Sequence, residues 1–238
     1  MKQKSTTTIL LAISILLNIL LVFVTIKEEK RGHWISRHFE KSQPDESQQP
    51  DYWSVVGWNN TIRKLNYDCD ICFFGHSQIA MSDFQNTFPH KKIVNLGYPG
   101  DNVDGMLRRV DPLRQLNPEK VFVMCGVNSL GMADTTFQKK YHTLVDSVRR
   151  TVPHARIYLF NILPERDGDL GEARLNAKIQ SRNKYIAHYA SSKGLTCIDL
   201  FTPFCDKETK LKAEYSIDGL HIDPDGYTLW ASLIEEYI

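Results

Sequence analysis

The sequence predicts an α/β domain built on a five-stranded parallel sheet, and three observations carry that expectation. Short apolar runs fall at residues 71–74, 93–96, 121–125, 157–160 and 196–200. Between several of them apolar residues recur at helical spacing, as in Phe137, Tyr141, Leu144, Val145 and Val148, and again in Leu175, Ile179, Ile186 and Tyr189. Strand alternating with helix places the crossovers on both faces of a parallel sheet, so its strands read as continuous apolar runs.

With 238 residues, 42% apolar and 24% charged, the chain can bury one substantial core and reads as one domain plus an appendage. That appendage is residues 1–26. The run at 9–26 holds no charge, and at 1.5 Å per residue a helix over it is about 27 Å long, close to the thickness of a bilayer core. Its exit through Val24-Thr25-Ile26-Lys27 lacks a small-residue cleavage pattern, which favours a retained transmembrane anchor over a removed signal peptide. Orientation rests on two opposed signals. Lys27, Lys30, Arg31 and Arg37 after the run would keep the domain in the cytoplasm, whereas Lys2 and Lys4 form a short basic leader of the export type. Export to a periplasmic or extracellular face is the expectation.

Residues 27–50 are polar and end in Ser-Gln-Pro-Asp-Glu-Ser-Gln-Gln-Pro, too poor in apolar side chains to pack, and read as a linker before a domain at 51–238. Trp53, Val56, Trp58, Ile62 and Leu65 then mark an amphipathic helix entering that domain.

Chemistry concentrates at four places. Ser77 ends the first apolar run in Phe-Phe-Gly-His-Ser-Gln, and a serine becomes a nucleophile when a base reaches it. Asp218-Gly-Leu-His221 supplies such a base: the carboxylate can take one ring N–H and leave the other nitrogen for the serine proton. Asn95-Leu-Gly-Tyr-Pro-Gly-Asp101 and Cys125-Gly-Val-Asn128 follow the second and third runs and offer oxyanion donors. Taken singly, Gly100 is also what a tight turn uses and Asn128 what a helix cap uses.

In this order the blocks resemble the SGNH branch of the GDSL hydrolases, over roughly residues 68–238. The resemblance implies a three-layer α/β/α flavodoxin-like fold with strand order 2-1-3-4-5. It assigns Ser77, His221 and Asp218 as a catalytic triad, and the N–H groups of Ser77 and Gly100 with the amide of Asn128 as the oxyanion hole. It also implies an esterase that needs no cofactor and takes a short acyl group, such as acetyl, from a carbohydrate or other small ester. Relatives act on lysophospholipids or transfer acyl groups. The α/β-hydrolases are the poorer match, since their Gly-x-Ser-x-Gly elbow requires glycine where Ile79 stands. Two positions depart from the pattern: His76 replaces the aspartate before the serine, and Ser129 the aspartate after the asparagine. A surface binding domain that has lost its chemistry is the competing class.

A net charge of +1 gives no field for nucleic acid, and phosphate-loop, dinucleotide and H-E-x-x-H patterns are missing, so no nucleotide or metal cofactor is expected. Cys69 and Cys72, if both on a strand, face opposite sides and cannot share a metal or a disulfide; Cys125 and Cys197 read more naturally as buried strand residues, and a Cys197–Cys205 bridge is the one remaining candidate disulfide. His90, His142, His154 and His188 have no partner at fixed spacing and read as surface residues. Asp223 before Pro224 reads as a helix cap rather than a rival of Asp218. His76 could be a second base or a metal ligand, but a side chain next to Ser77 leaves the strand on the opposite side, so it reads as a packing or hydrogen-bonding residue at the strand end.

Overall fold

The computed structural model describes residues 68–166 and 172–238. The expected anchor at 9–26, linker at 27–50 and helix at 51–65 lie outside the described residues. Among the described residues no helix is long and apolar enough to cross a membrane.

The chain begins with β1 (Ile71–Gly75), α1 (Ser77–Ala80), α2 (Phe84–Thr87), β2 (Ile93–Gly97), α3 (Val103–Arg108), α4 (Pro112–Leu116) and β3 (Lys120–Val123). A 3-10 turn at Val127–Ser129 leads to α5 (Asp134–Thr151), β4 (Arg156–Phe160), α6 (Glu172–Ser192), β5 (Thr196–Ile198), α7 (Phe201–Phe204) and α8 (Pro224–Ile234). All sheet neighbours are parallel, in the order β2-β1-β3-β4-β5. This is the implied 2-1-3-4-5 topology.

Helical periodicity decides which faces meet. Phe137, Tyr141, Leu144, Val145 and Val148 form one fully buried stripe of α5, and Leu175, Ile179, Ile186 and Tyr189 do the same on α6. Both stripes join Cys72, Phe74, Val121 and Val123 on one sheet face. The opposite face carries Ile71, Phe73, Phe122 and Phe160 against Phe84, Trp230 and Ile234. There the rings form a ladder across the strands: Phe73 stacks on Phe122 with centroids 4.7 Å apart, Phe122 on Tyr158 at 4.7 Å, and Trp230 meets Phe160 edge-on at 5.2 Å. Each such pair adds about 0.5–1.5 kcal/mol to the burial of its area.

Two strands end earlier than their apolar runs. β3 stops at Val123 because Gly126, at φ 142°, turns the chain into the 3-10 segment. β5 stops at Ile198 because Asn161 Oδ1 takes the N–H groups of Leu200 and Phe201, at 2.7 and 3.0 Å, that would have continued the strand. The order reverses about β1, and in open parallel sheets ligands bind at the carboxyl ends of the strands beside such a reversal, here β1, β2 and β3. Ser77, Gly100 and Asn128 follow those three strands.

Candidate active site

Ser77 owes its position to the end of β1. His76 is extended (φ −98°, ψ −155°), and Ser77 is the first residue of α1. That short helix is pinned to β2 from its far end, where Asn95 Nδ2 donates to the carbonyl of Ile79 at 2.6 Å. Gly97 permits the contact. A Cβ there would stand 2.1 Å from the backbone nitrogen of Ala80, so only glycine lets α1 lie against the strand.

The histidine arrives from the opposite end of the chain. Asp223 Oδ1 caps α8 by accepting Gly226 N at 2.9 Å, with Pro224 at the first helical position as expected. Ahead of it, Ser216 Oγ accepts Gly219 N at 2.9 Å. Gln78 Nε2 donates to Leu220 O at 2.9 Å, while Tyr227 Oη donates to Gln78 O at 2.7 Å. The residue after the serine therefore holds the loop that carries the histidine.

Those restraints bring His221 Nε2 to 3.1 Å from Ser77 Oγ and His221 Nδ1 to 2.7 Å from Asp218 Oδ2. The acidic partner is prepared for this. Burial pushes the Asp218 carboxyl up, but hydrogen bonds from the His221 ring and from the N–H groups of Leu220 and His221 outweigh it and hold the group well below the usual carboxylate range. Asp218 is thus an anion throughout the neutral range. With Nδ1–H committed to it, the other ring nitrogen is left as an acceptor for the serine proton.

Gly100 sits at φ +75°, a left-handed conformation that glycine adopts without strain. Among the described residues, neither Ser77 N–H nor Gly100 N–H finds a protein acceptor. Asn128 is exposed, and its Nδ2 donates one proton to Asp101 O at 2.8 Å, which leaves the second. It does not cap a helix.

Both departures from the family pattern are buried. His76 has no exposed surface and neither ring nitrogen has a hydrogen-bond partner. Burial first, then the neighbouring His221 ring and Arg109 guanidinium, pushes it down to about 3, so it is a neutral ring. Ser129 Oγ accepts Val103 N at 3.2 Å and thereby ties the Asn128 turn to the start of α3.

His90, His142, His154 and His188 are exposed, as expected. One premise of the cysteine reading needs correction. Cys197 lies on β5 as read, it and Cys205 are free thiols with no bridge between them, and burial pushes each up to about 11. Cys69 precedes β1 instead of lying on it, so the two-sided argument fails and it shares one core cluster with Cys72; both are free.

Several contributors escape sequence reading. Gln78 and Tyr227 are two. Arg182 is another: its Nη1 donates to Ser129 O at 2.7 Å and its Nη2 to Met132 O at 2.7 Å, and its guanidinium lies 4.3 Å from the centre of the Phe137 ring. Its signal was present, because Arg182 falls on the apolar stripe between Ile179 and Ile186. Glu165 is a fourth; burial pushes its carboxyl up, and nearby His221 acts against that.

A parallel 2-1-3-4-5 sheet with a serine, histidine and aspartate in hydrogen-bonded series at its carboxyl edge defines a hydrolase of the acyl-ester class. The chain belongs to the GDSL-like lipase/acylhydrolase family, whose model matches residues 57–229. Solved structures agree on the fold. A Streptococcus pneumonia protein named for platelet activating factor is 26% identical, with TM-score 0.67 over 77% of this chain and 92% of its own. A GDSL-like lipase from Bacteroides thetaiotaomicron is 19% identical, with TM-score 0.66 over 78% and 96%. The acetyl xylan esterase AlAXEase is 16% identical, with TM-score 0.58 over 71% and 98%. No curated protein matches the chain.

Proposed function

We propose that this chain is a serine esterase that removes a short acyl group, acetyl in the simplest case, from a carbohydrate or related small molecule. The carrying observation is the Ser77–His221–Asp218 series, at 3.1 and 2.7 Å. Ser77 Oγ attacks the ester carbonyl while His221 Nε2 takes its proton, and Asp218 stabilises the imidazolium. The carbonyl oxygen becomes an oxyanion facing Ser77 N–H, Gly100 N–H and the spare amide proton of Asn128. Collapse expels the alcohol, which receives the proton from His221. Water then repeats the cycle on the acyl-enzyme and restores the serine.

The acetyl assignment follows the family resemblance, and an acetyl xylan esterase shares the fold. We also propose that residues 9–26 tether the domain to a membrane, with the domain on the exported side, on the strength of that uncharged run and its basic leader.

A second reading, a lipid-like ester with a longer acyl chain, is favoured by one observation. Met81 is 55% exposed and Ile217 is 92% exposed. Met81 lies one helical turn from Ser77 and Ile217 adjoins Asp218, so the exposed large apolar side chains among the described residues flank the triad.

Labelling with a serine-directed fluorophosphonate tests the common mechanism. The wild type should label and lose activity, and Ser77→Ala should do neither. An inert wild type would point to a binding domain. Turnover across aryl esters of two to sixteen carbons separates the readings, because an acetyl esterase falls off with length and a lipid esterase rises.

A further inference from the structure

Arg109 immediately follows α3, and its side chain is 12% exposed. Its guanidinium spends three directed bonds on three different segments: Nε to Asp101 Oδ2 at 2.6 Å, Nη1 to Leu96 O at 2.7 Å and Nη2 to Gly75 O at 2.6 Å. One face lies 4.8 Å from the centre of the Phe74 ring.

Each acceptor belongs to a different part of the candidate oxyanion hole. Gly75 ends β1 two residues before Ser77. Leu96 lies at the end of β2, ahead of the turn to Gly100. Asp101 directly follows Gly100, and its carbonyl accepts the Asn128 amide at 2.8 Å. All three donors therefore stand within a short covalent or hydrogen-bonded step of an atom held by one planar cation. Neutralising the Asp101 carboxylate would require only one of these bonds, and a lysine could make it. Reaching two strand-end carbonyls as well requires the rigid fork of arginine. A buried guanidinium is costly to desolvate, and such a cost persists only where its donors are well satisfied.

We propose that Arg109 is the positioning residue of the oxyanion hole: it fixes the carboxyl ends of β1 and β2 and residue Asp101 in the register at which the donors of Ser77, Gly100 and Asn128 meet one substrate oxygen. This rests on the serine-esterase reading. Oxyanion donors act on charge that develops in the transition state, so loosening them lowers turnover more than substrate affinity.

The test compares wild type, Arg109→Lys and Arg109→Gly by circular dichroism, by fluorophosphonate titration of competent serines, and by kcat and KM on a short aryl ester. Arg109→Lys should fold and label, yet lose roughly 10- to 1,000-fold in kcat per labelled serine with KM changed less than about threefold. Its affinity for an alkyl boronic acid, which mimics the tetrahedral intermediate, should fall with kcat. Added guanidinium should restore part of the activity of Arg109→Gly. A merely structural role would reduce the labelled fraction and leave turnover per labelled serine intact. Should Arg109→Lys fail to fold, Asp101→Asn, which spares both carbonyl bonds, should still lower kcat per serine about tenfold. A folded, labelled Arg109→Lys or Asp101→Asn with wild-type turnover per serine overturns the inference alone. A wild type that neither labels nor hydrolyses esters overturns the esterase reading and takes this inference with it.

Discussion

Asp218 grips His221 twice: Oδ2 lies 2.7 Å from the ring Nδ1, and Oδ1 accepts the backbone N–H of His221 itself at 2.7 Å. The three-residue spacing makes this possible, since the turn brings the amide of His221 back to the carboxylate that orients its ring. Orientation and charge are thus supplied by one group.

Asp218→Asn should separate those contributions. The amide can keep the backbone contact through its oxygen, but its NH₂ would face Nδ1 and favour the wrong tautomer. Turnover should fall on the order of 100- to 10,000-fold, with the secondary structure unchanged. Steady-state kinetics and circular dichroism on the purified variant check both. A loss under tenfold would mean that the carboxylate does not set the tautomer.

Asn128→Ala removes one of three proposed donors along with the bond to Asp101 O. The expected loss is about 100- to 1,000-fold in kcat with a much smaller change in KM. A change confined to KM would place Asn128 in substrate binding and outside the oxyanion hole.

Gly97→Ala tests how Ser77, the proposed nucleophile, is seated. The new methyl would meet the backbone nitrogen of Ala80 at 2.1 Å, and backbone cannot rotate away as a side chain can. α1 must shift and carry Ser77 with it. Urea denaturation should show a loss of about 1–3 kcal/mol, and misplacement of the hydroxyl should cost about 100-fold in turnover. An unperturbed, fully active variant would show that α1 does not depend on this contact.

Much of this site was legible in the sequence because its parts follow strands. Apolar runs located β1 to β5, and the residues just beyond the first three runs are where a parallel sheet places its ligand groups. Asp218 and His221 were legible because three residues is a distance the chain can close on itself. Arg109 and Gln78 were not, because each acts on groups far away in sequence: Gln78 reaches Leu220, and Arg109 reaches Gly75 across the sheet. No local periodicity encodes such pairs. Cys69 was misread because β1 begins at Ile71, and a strand argument applied two residues too early assigns faces that do not exist.

His76 should make the fold acid-sensitive. Buried and without a partner on either ring nitrogen, it is pushed down to about 3 in the folded chain, whereas an exposed histidine titrates near 6.5. Between those values the unfolded chain binds one proton that the folded chain refuses, so protonation favours unfolding. Stability contributed by the neutral ring is fully present above about pH 6.5 and is lost as pH falls toward 3, at up to about 1.4 kcal/mol per pH unit. Asp218, held low, begins to lose its own contribution only near the ordinary carboxylate value, and Glu165 and Asp101, whose carboxyls burial pushes up, are common to both proteins of the comparison over pH 6.5 to 4.5. Urea unfolding of wild type and His76→Phe across that window should give curves that diverge, with the wild type falling more steeply on acidification. Subtracting one from the other cancels the groups they share. Parallel curves would mean that His76 can take up a proton in the folded state, and the neutral ring would have to be abandoned.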